Sequence, residues 1–270
     1  MGENSFKKRR PVRSEASTQQ SGSYVIGRNA VSELIKSGRD IDKIYIKRGE
    51  RTGSITTIAA EAIARGIPLI EVEAQKLDRM AGSYPHQGVI ASAAVKDYAT
   101  VEDILALAEQ RNENPLVIIA DGIEDPQNLG ALLRVAECTG AHGVIVPKRH
   151  AVGLTDAVGR SSAGAIEYVS VAKVTNLASA VDDLKSKGLW IFAAEAGGTP
   201  VYETDMTCPA AVILGSEGRG VSRILREKSD FTVSIPMYGK INSMNVTSAG
   251  AVILTEAVRQ RHIKMEKQNG

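Results

Sequence analysis

Apolar and polar positions alternate on a short cycle from residue 24 to residue 96. NAVSELIKSG, SITTIAAEAIARG and AQKLDRMAGS repeat apolar residues at helical spacing, and Gly38 and Gly66 stop the first two. Between and after them IDKIYIK, IPLIEVE and HQGVIASAAV read as strands. TVEDILALAEQRNENP opens with a capping-box pattern at Thr100 and Asp103, so it is a linking helix or the first element of the next unit. From Pro115 the strands become near-continuous apolar runs: PLVIIADG, HGVIVP, IEYVSVAKV, LWIFAAE, AAVILG and DFTVSIP. Helical segments separate them at NLGALLRVAECTG, DAVGRSSAG, NLASAVDDLKSKG and VSRILREKS, and an amphipathic helix closes the chain. Such runs, alternating with helices, predict a mostly parallel sheet covered on both faces.

The pattern divides the 270 residues into a basic tail (1–23), a small α/β unit (24–96), a linking segment (97–114) and a larger α/β unit (115–270). The tail carries Lys7, Lys8, Arg9, Arg10 and Arg13 against Glu3 and Glu15, while the whole chain is only +2. Without periodic apolar residues it reads as disordered, either a solvated leader or an arm for phosphate backbones. No apolar run is long enough for a bilayer and no signal peptide opens the chain, so a cytoplasmic place is expected. Cys138 and Cys208 have neither disulfide framework nor metal-ligand spacing; both are expected to be buried as small apolar residues.

In parallel sheets ligands gather beyond the carboxyl ends of the strands. Three loops there carry chemistry. DGIEDPQNLGALLRVAECTG breaks its strand at Asp125-Pro126, and Asn128 is placed to cap the helix that comes next. Arg134, six residues on, can meet Asn128 only if that helix begins after Asn128; otherwise a cap and a surface charge account for the pair. GSEGRGVSR has Gly215, Gly218 and Gly220 for close backbone approach. It matches no phosphate-binding fingerprint, and Glu217 among its amides would repel a phosphate, so it is either a plain tight turn or a site for a neutral or cationic ligand rather than a polyphosphate. IPMYGKINSMNVTSAGAVILTEA crowds Asn242, Ser243, Asn245, Thr247 and Ser248 at one helix mouth, more polar groups than one cap needs. Met244 is the large apolar residue among them, and Thr247 and Ser248 suit the first free amides of the last helix. None of His86, His142, His150 and His262 lies in these loops, and nothing marks a metal site.

Taken in order, DPQNLGALLRVA, VILGSEGRGVSR and IPMYGKINSMNVTSAGAVILTEA resemble the three motifs of the SpoU family of RNA 2′-O-ribose methyltransferases. GRNAVSELIKSG and HQGVIA resemble the ribosomal-protein-L-thirty-like RNA-binding domain of the subgroup that methylates a guanosine in 23S rRNA. The resemblance implies an α/β fold whose mostly parallel sheet ends in a deep C-terminal trefoil knot, preceded by that small RNA-binding domain. It also implies a homodimer with S-adenosylmethionine bound bent within the knot. Gly215, Gly218, Gly220, Ile235, Met237 and Met244 would hold that cofactor. Asn128, Arg134, Glu217, Ser243 and Asn245 would form the catalytic constellation, and all five match the family pattern. Arg134 is the family's usual base, which guanidinium chemistry disfavours; a phosphate clamp with Ser243 or a phosphate oxygen relaying the proton is the alternative. The expected partner is 23S rRNA, with tRNA as the rival acceptor and no role for DNA or membrane. A non-catalytic RNA-binding or ribosome-assembly protein would lose Arg134 or Asn245, and both are present.

Overall fold

The computed structural model describes residues 23–49 and 53–269. The basic tail lies outside the described residues, apart from Ser23 at its end.

The first unit is a four-stranded sheet in the order β1-β4-β2-β3, made of β1 (Ser23–Ile26), β2 (Ile41–Lys47), β3 (Leu69–Val72) and β4 (Val89–Ala93). Only β2 and β3 run parallel. Alternation along β4 shows why it is central: Val89, Ala91 and Ala93 meet α1 (Arg28–Ser37) and α2 (Ser54–Ala64), while Ile90 meets Leu77 and Ala81 of α3 (Ala74–Ala81). β1 has no counterpart among the predicted strands.

α4 (Val101–Gln110) has the expected box, with Thr100 Oγ1 accepting from the Asp103 amide and the Asp103 carboxylate from the Thr100 amide. It belongs to the second unit by packing, since Val101 and Ile104 join that unit's core. There six strands run parallel in the order β10-β8-β9-β5-β6-β7. They are β5 (Leu116–Asp121), β6 (Gly143–Pro147), β7 (Val171–Val174), β8 (Trp190–Pro200), β9 (Ala210–Gly215) and β10 (Phe231–Ser234). One face is covered by α5 (Pro126–Cys138) and α9 (Val246–Asn269), through Leu129, Leu132, Leu133, Ile253 and Leu254. The other carries α4, α7 (Leu177–Ser186) and α8 (Arg223–Lys228), through Ile104, Val181, Leu184 and Leu225. α6 (Asp156–Ser161) packs on α5 where Gly130 faces Ser161; a Cβ at Gly130 would stand 1.9 Å from Ser161 Oγ.

Two expectations fail here. The strand predicted over 166–174 is shortened to Val171–Val174, preceded by a 3₁₀ turn at Ala165–Glu167. The carbonyls of Ile166 and Val169 accept from Lys96 Nζ, so they are drawn away from a ladder by a residue of the other unit. Cys138 is exposed and Cys208 only partly buried, Cys138 because it ends α5 on the side away from the sheet.

The two units meet along α6 and the turn after it. Ser23 donates to Asp156, and Tyr168 Oη donates to Glu33 Oε2 at 2.6 Å. The Arg160 guanidinium lies 3.6 Å from the centre of the Tyr84 ring. Arg39 Nη1 stands 3.2 Å from Glu167 Oε2, yet among the described residues that carboxylate oxygen and the Nε atoms of Arg39 and Arg160 have no hydrogen-bond partner. A cavity of about 20 Å³ adjoins them, room for one water to satisfy them. Burial pushes the Lys96 amine down to about 8, against the pull of Glu167, and pushes the Glu167 carboxyl up.

Candidate active site

The carboxyl ends of β8, β9 and β10 open into a crevice of about 710 Å³. Its walls come from four stretches: 194–196 in the middle of β8, 214–220 at the end of β9, residues between 233 and 246 from the end of β10 to the start of α9, and Ala249 and Ile253 on α9 itself. Nine of the eleven residues singled out in the sequence lie in its walls: Gly215, Glu217, Gly218, Gly220, Ile235, Met237, Ser243, Met244 and Asn245. The other two, Asn128 and Arg134, both belong to α5.

Asn128 is brought to the crevice by hydrogen bonds rather than as wall. Its Nδ2 donates to Glu217 Oε1 at 3.3 Å, and its Oδ1 accepts from Asn245 Nδ2 at 2.9 Å. Asn245 Nδ2 also donates to Glu217 Oε1, at 2.5 Å. Three separate segments thus converge on one carboxylate oxygen. Asn245 is held in that orientation from behind, because its Oδ1 accepts from the amides of Thr247 and Ser248. Asn245 is therefore itself the cap of α9, a role expected of Thr247 and Ser248; Thr247 Oγ1 instead donates to the Asn128 carbonyl at 3.2 Å.

Asn128 does not cap α5. Asp125 does, accepting from the Gln127 amide at 2.7 Å, and Pro126 takes the first helical position, where a missing N–H costs nothing. The helix therefore starts before Asn128, which turns Arg134 about 120° around the axis from it and about 9 Å along. Arg134 is exposed, and among the described residues it forms no hydrogen bond or ion pair with Asn128, Glu217 or Asn245. Of the expected constellation, the structure joins Asn128, Glu217 and Asn245, sets Ser243 in the adjoining wall, and leaves Arg134 apart.

Close backbone packing builds the floor. A Cβ on Gly215 would lie 2.0 Å from the carbonyl carbon of Gly220 and 2.2 Å from the Val221 nitrogen, so these chain segments touch with no side chain between. Gly220 (φ 65°) and Gly218 (φ 84°) take left-handed conformations that glycine alone adopts freely. Sequence reasoning missed Ala194, Glu195 and Ala196. β8 pairs with β10 at Ala193, then again at Thr199, so residues 194–198 loop out of the ladder into the crevice. The signal available was Gly197-Gly198 inside an otherwise apolar strand. His142, by contrast, is buried scaffold: its Nδ1 accepts from the Leu116 amide and its Nε2 lies 3.0 Å from Glu113.

Residues 115–255 match the model of the SpoU rRNA Methylase family. The chain belongs to that family. Residues 24–99 match a second model, described as RNA 2′-O ribose methyltransferase substrate binding. A Bacillus subtilis protein named as a TrmH family tRNA/rRNA methyltransferase, YacO, is 40% identical over 90% of this chain and 98% of its own length. A Staphylococcus haemolyticus protein named for the same family is 42% identical over 88% of this chain and 96% of its own length. Among solved structures, the SpoU methyltransferase AviRb from Streptomyces viridochromogenes, in complex with AdoMet, aligns at a TM-score of 0.74 and 25% identity. That alignment covers 89% of this chain and 90% of AviRb. This SpoU chain is thus an RNA methyltransferase of α/β fold with a substrate-binding domain ahead of its catalytic sheet. Among the described residues no helix is long and apolar enough to cross a membrane.

Proposed function

We propose that this enzyme transfers a methyl group from S-adenosylmethionine to the ribose 2′-hydroxyl of a guanosine in 23S rRNA, as a cytoplasmic homodimer. The convergence of Asn128, Glu217 and Asn245 at the mouth of a glycine-floored crevice carries this reading. The crevice suits the donor: its polar lining is short amides and hydroxyls with the Glu217 carboxylate and the Arg219 guanidinium, a partner for each sign of charge on a donor that carries a sulfonium and an amino-acid end. Gly215, Gly218 and Gly220 with Ile235, Met237 and Met244 would hold it, the apolar side chains against its flat adenine. Bound there, the donor supplies a methyl already activated by its positive sulfur.

The chain's own residues then have two tasks. Holding the hydroxyl in line with that methyl contributes on the order of 7–11 kcal/mol. Glu217, fixed by two amides, and Asn245, fixed by the helix it caps, are preorganised groups of that kind. The second task is removal of the hydroxyl proton, worth about 10²–10⁴-fold. A guanidinium is a poor base, so Arg134 clamps an RNA phosphate while Ser243 or a phosphate oxygen takes the proton. Its distance from Asn128 within α5 fits an RNA-binding group better than a base touching the triad.

Only RNA offers the 2′-hydroxyl. The 23S assignment rests on the likeness of residues 24–96 to one subgroup; the relatives' names, which include both tRNA and rRNA, favour keeping tRNA as the second reading. Homodimerisation is supported by the exposed apolar side chains of Met237, Tyr238, Ile241 and Met244 beside the crevice. The C-terminal trefoil knot is part of the same proposal and rests on the family resemblance. Mass spectrometry of rRNA from cells lacking the protein should show one missing ribose methyl, and 23S fragments should outperform tRNA as acceptors in vitro. Arg134→Ala should abolish transfer with donor affinity within a few-fold of wild type by calorimetry; lost donor binding would move Arg134 into the pocket.

A further inference from the structure

The loop that carries Glu217 is gripped from both sides by carboxylates that have no part in the methyl-transfer chemistry. It leaves the sheet from β9, which lies between β8 and β5. Two consecutive amides at its far end are bound in opposite directions. The Val221 N–H donates to Glu195 Oε1 from the β8 side at 2.5 Å, and the Ser222 N–H donates to Asp121 Oδ2 at the end of β5 at 2.7 Å. We propose that Glu195 and Asp121 form a clamp that fixes the 215–222 loop, and that Glu195 is thereby a positioning residue for the donor and for Glu217.

Three observations support it. Glu195 sits in the segment 194–198 that leaves the β8–β10 ladder, so the strand gives up pairing where this carboxylate reaches the loop. The fit leaves no slack, since a Cβ on Gly220 would stand 2.5 Å from Glu195 Oε1. The glycine at 220 is thus required by the clamp as well as by its φ of 65°. The loop closes on itself at the same place, with the Gly220 amide donating to the Ser216 carbonyl at 2.9 Å. Between these anchors Glu217, Gly218 and Arg219 are exposed, and without the clamp the Glu217 carboxylate would not be held against Asn128 and Asn245. Hydrogen bonds from neutral amides to a carboxylate are among the strong ones, and two on adjacent residues remove most of a short loop's freedom.

The inference deepens the proposed methyl transfer and rests on it for its functional half. Its structural half can be tested without ligand. In the wild-type protein, amide hydrogen exchange should show Val221 and Ser222 protected while Gly218 and Arg219 exchange rapidly; rapid exchange at both 221 and 222 would overturn the clamp. Calorimetry with S-adenosylmethionine then separates the two ideas. If wild type fails to bind, the donor assignment fails, while the exchange result still decides the clamp. Given wild-type binding, Glu195→Ala should weaken donor affinity about tenfold or more, raise the KM for donor but not for RNA, and lower kcat. Glu195→Gln keeps an acceptor oxygen for Val221 and should restore affinity to within about threefold. Wild-type affinity and Val221 protection in Glu195→Ala would refute the proposal. A Gln variant as weak as the Ala variant would refute it too, by assigning Glu195's charge to direct contact with the ligand.

Discussion

Two polar clusters in this enzyme teach opposite lessons. At the junction of the units, Arg39, Lys96 and Glu167 are largely enclosed around a cavity of about 20 Å³. At the crevice, Glu217 and Asn245 are exposed and Asn128 half-buried beside about 710 Å³ of open space. The junction shows the features often sought in active sites: buried charge, a displaced lysine and unpartnered polar atoms. Nevertheless its space admits a water and nothing larger, and Lys96 is used up on the carbonyls of Ile166 and Val169. Burial causes its shifted titration, and its role is to lock one unit onto the other. The crevice offers free volume, a fixed carboxylate and side chains already oriented by the backbone, which substrate chemistry requires.

The contrast can be broken at either end. The largest effect is expected from Gly215→Ala, whose Cβ would fall 2.0 Å from backbone that cannot yield without moving the loop. Donor affinity should drop beyond about 100-fold in calorimetry, a cost of roughly 2.7 kcal/mol. Asn245→Ala comes next: methyl transfer to RNA should fall about 100-fold, and loss of the α9 cap should lower stability by about 1 kcal/mol in thermal melts. At the junction, Glu167→Gln leaves Arg39 enclosed without a counter-charge. About 2 kcal/mol of stability should be lost, below the roughly 3–5 of a fully buried pair because Arg39 is one-fifth exposed. Donor affinity should stay unchanged; if it falls with stability, the two clusters are coupled and the contrast is false.

The smallest effect is a pH slope. Burial holds the His142 imidazole below its ordinary value, with Glu113 opposing. A group depressed on folding contributes stability that is present above the unfolded value, about 6.5, and lost as pH falls through the folded one. Melting temperature should therefore decline below about pH 6.5 in wild type, with a shallower decline in His142→Gln.

Much of the crevice was legible in the chain because its parts are local. The surplus of polar side chains from Asn242 to Ser248 and the glycines of GSEGRG marked two walls without knowledge of the others. The division of labour was less legible. Asn245 and Asp125 act as caps where Thr247, Ser248 and Asn128 were expected, since several neighbouring groups could serve and only the start of each helix selects one. Glu195 was invisible, because its partner, the Val221 amide, is 26 residues away and backbone leaves no mark in composition.

By itself the chain's pattern determined the alternation of strands and helices, the parallel character of the larger sheet, and which three loops hold the polar residues that gather at the crevice. Those features come from periodicity and turn residues, which act over a few positions. Tertiary structure alone decided that Glu217 meets Asn128 and Asn245, that Arg134 turns away, and that Lys96 unmakes the strand predicted at 166–170. Each of those outcomes is a contact between distant segments, and its geometry exists only once the strand order has brought them together.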